Sequence, residues 1–188
     1  GLARRSGEIS GLGWHYLSLQ NLPRQLQEAL VEDHLGEALM RLNPSIAARL
    51  DRVVDVLHRL RAIIMGVRSD GLVKANEEFA AWLNGEKSMP FGENGEHVTI
   101  KLIDFEDLEQ NQYVVSQQYT FRVGKTAKRA DLVLLINGMP LVLIEAKTPV
   151  RSSQSWLDGA LQVHDDYDRN VPELCVPSAC SIATVGTE

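Results

Sequence analysis

The sequence predicts an α/β fold, a mixed β-sheet flanked by helices, with an N-terminal helical region ahead of it. Three observations lead there. Apolar residues recur at helical spacing through the first half of the chain. Beyond residue 97 the period falls to two. Residues 130–147, ADLVLLINGMPLVLIEAK, then read as two apolar runs about an Asn-Gly turn. The order of helices, four strands, a helix and a strand suits a sheet with helices packed on it. Residues 1–85 are expected to form the helical region and 86–188 the sheet-bearing core.

The elements follow in order. Pro23 suits a first helical position, and the periodic pattern runs to Leu42 before Asn43-Pro44 stops it. Ser45 offers a cap to a second helix carrying Ile46, Leu50, Val53, Val54, Leu57, Leu60 and Ile64. Asp70 offers a cap to a third, with Leu72, Phe79 and Leu83, ended near Asn84-Gly85. Residues 85–96 have loop composition. Val98, Ile100 and Leu102 alternate with polar residues, and residues 112–123 (QYVVSQQYTFRV) are rich in β-branched and aromatic types. The 130–147 hairpin supplies two more strands. Ser152 and Ser153 precede a helix to about Tyr167, and Ala179–Val185 reads as a last strand.

Composition narrows the function. The chain has 188 residues, 44% apolar and 23% charged, which is ordinary for a soluble globular domain. No apolar run reaches the roughly 18 residues of a membrane span, and GLARRSGEISGLGW lacks a signal-peptide core, so no membrane partner is expected. Cys175 and Cys180 form a lone pair without further ligands, as buried thiols of a reducing cytoplasm would. A net charge of −6 argues against gripping nucleic acid through bulk charge. Yet residues 110–151 hold six Lys and Arg against two Asp and Glu, so a basic island coincides with the hairpin.

The hairpin brings its own chemistry. Asp131 opens one strand and Glu145-x-Lys147 closes the other. A three-residue loop centred on Gly138 puts Asp131 opposite Glu145, with Cβ atoms roughly 5 Å apart. A two-residue Asn-Gly turn puts Asp131 opposite Ile144 and spoils the cluster. Two carboxylates so close repel each other unless a cation lies between them, and oxygen-only ligands suit magnesium, with manganese as a substitute. Lys147, on the face of Glu145, is then placed to orient or deprotonate a water, which fits metal-assisted phosphodiester hydrolysis. Glu32 stands at the margin of the apolar stripe of Val31, Leu35, Ala38, Leu39 and Leu42, as a third ligand or as a wet edge.

These pieces carry a resemblance. ALVEDHLGEALMRLNP, VTIKLIDFEDLEQNQYVVSQQ and KRADLVLLINGMPLVLIEAKTP, from about residue 24 onward, resemble the N-terminal nuclease domain of the restriction (R) subunit of type I restriction-modification enzymes. The broader class is the PD-(D/E)xK nuclease superfamily. The resemblance implies a DNA endonuclease in which Asp131, Glu145 and Glu32 hold the metal and Lys147 is the motif lysine. It also implies Gln-x-x-x-Tyr on the helix after the lysine. Here Gln162 is followed at that spacing by Asp166, with Tyr167 one residue later. Double-stranded DNA is the implied substrate, with methyltransferase and specificity subunits as partners. ATP is implied only through motor domains that this sequence does not contain. Gly124-Lys125-Thr126 is no phosphate-binding loop, since Tyr119 stands where that motif needs glycine.

The remaining candidates have bland readings beside the sharp ones. Arg122, Lys125, Lys128 and Arg129 are either phosphate contacts or a solvated loop. The five histidines lack metal spacing, and Trp14, Trp82 and Trp156 read as core anchors. The rival functional reading is a non-catalytic docking module for the motor or methyltransferase core. A stand-alone repair nuclease is disfavoured by Asn137-Gly-Met-Pro140 and the acidic balance.

Overall fold

The computed structural model describes residues 13–147 and 166–185. Its elements, in chain order, are β1 (Trp14–Tyr16), α1 (Glu32–Leu42), α2 (Pro44–Ala47), α3 (Asp51–Asp70), α4 (Leu72–Leu83), β2 (Ser88–Met89), β3 (Val98–Thr99), β4 (Tyr113–Val123), β5 (Thr126–Ile136), β6 (Met139–Lys147), α5 (Asp168–Asn170), α6 (Pro172–Cys175) and β7 (Cys180–Val185). Short 3₁₀ turns at Leu19–Asn21 and Leu108–Gln110 complete them.

The sheet is mixed, in the order β1-β4-β5-β6-β7. β4, β5 and β6 form an antiparallel meander, with β1 parallel to β4 and β7 parallel to β6 on the outside. β2 and β3 make a separate two-stranded ribbon. One core joins the sheet to the helices, through Leu35, Leu39, Leu60, Phe79, Val133, Leu135 and Leu143 among others. This is the α/β architecture of a sheet flanked by helices. No helix among the described residues is long and apolar enough to cross a membrane.

Four local expectations are corrected. The first helix begins at Glu32, not near Pro23. Leu22, Ala29, Leu30 and Val31 are buried, but they run as an irregular ribbon along the β4–β5 hairpin. Arg122 N–H donates to Leu26 O, Tyr119 Oη donates to Ala29 O at 3.1 Å, and the Arg24 guanidinium lies 4.0 Å above the Tyr119 ring. These bonds to the sheet replace the intrahelical ladder that the periodicity suggested. Second, the helix expected from Ser45 is divided into α2 and α3, and Leu50 and Val54 are exposed. The buried stripe of α3 is Val56, Leu60, Ile64 and Val67, a stripe rotated from the one expected. Third, Asp70 ends α3 rather than capping α4, because Gly71 takes φ +87 and turns the chain between them. The alternating stretch from Val98 to Leu102 keeps only Val98–Thr99 in a strand, although Ile100 and Leu102 are buried. Most of the helix expected from Ser152 to Tyr167 lies outside the described residues.

Candidate active site

The site starts from a turn. Ile136 pairs with Met139, so the loop is the two-residue Asn137-Gly138, with φ +50 and +79. Such a turn matches the right-handed twist of the strands and asks for Asn-Gly. Carried outward unchanged, this register would set Asp131 against Ile144. A β-bulge prevents that. Between Leu134 and Leu135 the pairing shifts, and Leu141 is the extra residue on β6. Pro140, which has no N–H to give to a ladder, sits beside the irregularity. Beyond the bulge Leu134 pairs with Val142, Val133 with Leu143 and Leu132 with Ile144. The next step outward holds Asp131 and Glu145. The two-residue turn and the register that aligns Asp131 with Glu145, alternatives in the sequence, coexist through one inserted residue.

The turn is anchored from below. Asn137 is fully buried; its Nδ2 donates to Leu102 O and Asn111 Oδ1, and its Oδ1 accepts from Gln112 N–H at 2.8 Å. Val31 N–H donates to Gly138 O at 2.8 Å, so α1 starts directly on the turn without a side-chain cap. Glu32 and Asp33 occupy its first turn, where the helix dipole favours acids.

At Asp131 the strands part. Asp131 Oδ2 accepts from Ala146 N–H at 2.8 Å, a side chain taking the place of a ladder carbonyl. On the other side Gln118, in register with Asp131, takes φ +54 between the pairs Gln117–Leu132 and Tyr119–Ala130. A glutamine in the left-handed region is uncommon and marks local strain. Glu145 is 2% exposed, and the fully buried Tyr167 donates its hydroxyl hydrogen to Glu145 Oε1. The neighbouring Asp166 turns elsewhere and accepts from Lys128 Nζ at 2.6 Å. Of the two residues that shared the shifted Gln-Tyr spacing, Tyr167 meets the acid.

The other predicted residues are placed as follows. Lys147 ends β6, two residues past Glu145, but its side chain lies outside the described residues, as does all of Gln162. Glu32 is held by Arg61 of α3, whose Nη2 reaches Oε2 at 2.6 Å and whose Nε reaches Oε1 at 3.0 Å. Arg61 is 54% exposed, so this ion pair contributes no more than about 1 kcal/mol. Arg122, Lys125 and Arg129 are exposed at the tip of the β4–β5 hairpin, whereas Lys128 is tied to Asp166. Among the described residues no three His, Cys, Asp or Glu side chains stand close enough to cage a metal. Of the predicted acids, Asp131 and Glu145 are aligned on neighbouring strands one position beyond the Leu132–Ile144 pair, an oxygen-only pair. That fits magnesium, which takes one or two carboxylates and keeps waters and substrate oxygens for the rest of its shell.

Three participants were not legible beforehand. Gln118 carries no sequence mark of its positive φ. The Ala146 amide is a backbone group, and Arg61 lies 29 residues from Glu32 on another helix.

Comparison with known proteins gives these residues a context. The family profile described as "Type I restriction enzyme R protein N terminus" matches residues 7–188. A type I restriction enzyme HindI endonuclease subunit from Haemophilus influenzae is 29% identical over 192 residues, covering 95% of this chain and 17% of that protein. A putative type I restriction enzyme MjaIXP endonuclease subunit from Methanocaldococcus jannaschii is 27% identical over 192 residues, covering 96% of this chain and 18% of that protein. A second protein of that archaeon, the putative MjaVIIP endonuclease subunit, is 34% identical over 74 residues, 39% of this chain and 7% of that one. The chain thus spans less than a fifth of the length of the two relatives that match nearly all of it. It belongs to the family of type I restriction enzyme R protein N-terminal regions.

Proposed function

We propose that this chain is the nuclease portion of a type I restriction enzyme R subunit, hydrolysing phosphodiester bonds of double-stranded DNA with magnesium as cofactor. What supports the reading is the register, which aligns Asp131 with Glu145 one position beyond the Leu132–Ile144 pair, with the Asp131 carboxylate accepting from Ala146 N–H. Asp131 and Glu145 would hold the ion. Glu32 would join them on leaving Arg61, an exchange that forfeits little because the pair is exposed. When bound, such an ion supplies Lewis-acid stabilisation of charge on phosphate oxygens and lowers the pKa of a water. The chain's own groups prepare for this. Ala146 N–H orients the Asp131 carboxylate, and the Tyr167 hydroxyl fixes the rotamer of Glu145. We assign to Lys147 the orientation of the attacking water. Methyltransferase and specificity subunits would choose the DNA, and ATP would act through motor domains elsewhere in the longer protein.

The test uses the assembled enzyme. Glu145→Ala should abolish magnesium-dependent cleavage while the complex still assembles. Cleavage at the unaltered rate would refute the assignment. One observation favours a second reading, that of a docking module. Leu50, at the cap of α3, and Val54 and Met65 on it are exposed apolar side chains, and Glu32 is engaged by Arg61. That reading predicts loss of assembly on Val54→Asp and unchanged cutting on Glu145→Ala.

A further inference from the structure

The β4–β5 hairpin has two unlike faces beyond Asp131. Tyr119, Phe121 and Ala130 are buried on one of them, and there Tyr119 bonds to the ribbon of residues 22–31. The opposite face carries Thr120, Arg122, Ala127 and Arg129, set as the cross-strand pairs Thr120–Arg129 and Arg122–Ala127. Arg122, Ala127 and Arg129 are exposed and Thr120 is half-buried. Nearer the sheet the relation reverses: Ser116 and Val133, on the strand positions that continue this second face, are fully buried. Its covered part therefore gives way to an open part at Gln118 and Asp131. Gln118 is exposed, and its φ of +54 falls at that border.

Among the described residues Arg122, Lys125 and Arg129 form no ion pair, in a chain whose other segments are acidic. Lys128 belongs to the opposite set and is neutralised by Asp166. Residues two apart on a strand are about 6.6 Å apart along it, comparable with the separation of neighbouring phosphates on one nucleic-acid strand. Arg129 thus lies one such step from Asp131, and Arg122 stands further out on the neighbouring strand.

We propose that this open face is a phosphate track, in which Arg122 and Arg129 take successive phosphates of one DNA strand and Gln118 and Thr120 add neutral hydrogen bonds where the strand reaches Asp131. The proposal deepens the nuclease reading and rests on it. It differs from a diffuse basic patch in excluding Lys128 and including two uncharged residues. Its geometry also explains the ending. A phosphate moving along two arginines arrives at a pair of carboxylates, where it is tolerated only with a cation between them.

The test is binding of this chain to a short DNA duplex of random sequence, with calcium replacing magnesium, titrated with salt. Arg122→Ala and Arg129→Ala should each lower the log-log salt slope by about 0.9. Lys128→Ala should leave the slope unchanged. Gln118→Gly, which keeps the left-handed backbone without strain, and Thr120→Val should weaken binding several-fold at one salt concentration with the slope intact. Equal slopes for the wild type and both arginine variants would overturn the track, as would a Lys128→Ala loss equal to theirs or no duplex binding at low salt. If Glu145→Ala cuts normally in the assembled enzyme, the nuclease reading fails while the slopes of the Arg122, Arg129 and Lys128 variants still decide the track.

Discussion

The hydroxyl of Tyr167, on a fully buried side chain, donates to Glu145 Oε1, an acid that is itself 2% exposed. A buried carboxylate needs hydrogen-bonding partners, and this one fixes which way the acid faces. Tyr167→Phe keeps the packing and removes only the donor. On the proposed nuclease reading it should lower magnesium affinity or cleavage by 10–100-fold, the usual effect of losing an outer partner of a metal ligand. Stability should fall by about 1–3 kcal/mol. Manganese titration calorimetry and a denaturant melt on the same variant separate the two effects.

Gly138→Ala should be among the more damaging single changes in the hairpin. The residue has φ +79, and an added Cβ would collide with Val31 O and press to 3.0 Å from both His34 Cβ and Leu35 N. Strain and collision together should cost on the order of 3 kcal/mol. A lower denaturation midpoint at unchanged slope would register it.

The two arginine–glutamate pairs of α3 should differ in worth. Arg61 pairs with a Glu32 whose side chain is 23% exposed, and Arg68 with a Glu173 whose side chain is 7% exposed. Removing Arg61 leaves its acid in reach of water and should cost no more than about 1 kcal/mol. Removing Arg68 leaves Glu173 buried and should cost about 2 kcal/mol, below the full price of an enclosed pair because Arg68 is 49% exposed. Thermal melts of Arg61→Ala and Arg68→Ala check the order.

Alkaline pH should act through Tyr119. Burial raises its phenol from an ordinary 10.0 to about 12, so the folded form holds the proton more tightly than the unfolded form. The resulting stability is complete below pH 10 and is lost as pH rises through about 12. Two units correspond to roughly 2–3 kcal/mol. Tyr119→Phe should be slightly less stable at neutral pH, through loss of the bond to Ala29 O, and should show a shallower decline in unfolding free energy between pH 10 and 12.

The two cysteines, both expected from the sequence to be buried, differ in exposure and should react unequally. Cys180 is exposed, whereas Cys175 is buried and burial pushes its thiol far above the usual range. Native protein treated with iodoacetamide should take one label, on Cys180, and gain the second only in denaturant.

How far the sequence disclosed this arrangement depends on the distance over which each feature is decided. The hairpin was legible because Asn137-Gly138 and two apolar runs are local signals. Its register was not, because the bulge at Leu141 satisfies turn geometry and strand pairing at once, and Pro140 beside it marks an irregularity without fixing which residue is extra. Residues 23–31 have helical periodicity, yet their polar groups bond to β4, a preference settled only when the two meet. The basic cluster was visible as composition. Its division into a free set and a neutralised Lys128 depended on Asp166, 38 residues away. Tyr167 could be named from spacing, but its partner Glu145 required the fold.

The ribbon that runs from Leu22 to Val31 has a consequence for the order of assembly. Its contacts reach Tyr119 and Thr120 across separations of 90 and 96 residues, and β1 waits equally long for β4. Contacts of that range form late, after the loops between them have closed. As the polypeptide leaves the ribosome, Leu22, Ala29, Leu30 and Val31 emerge before β4 and β5 and stay wet until the central hairpin has been made. The ribbon is thus made before the hairpin that covers it and settles after it. Truncating the chain before Val123 should leave a product that aggregates or recruits chaperones.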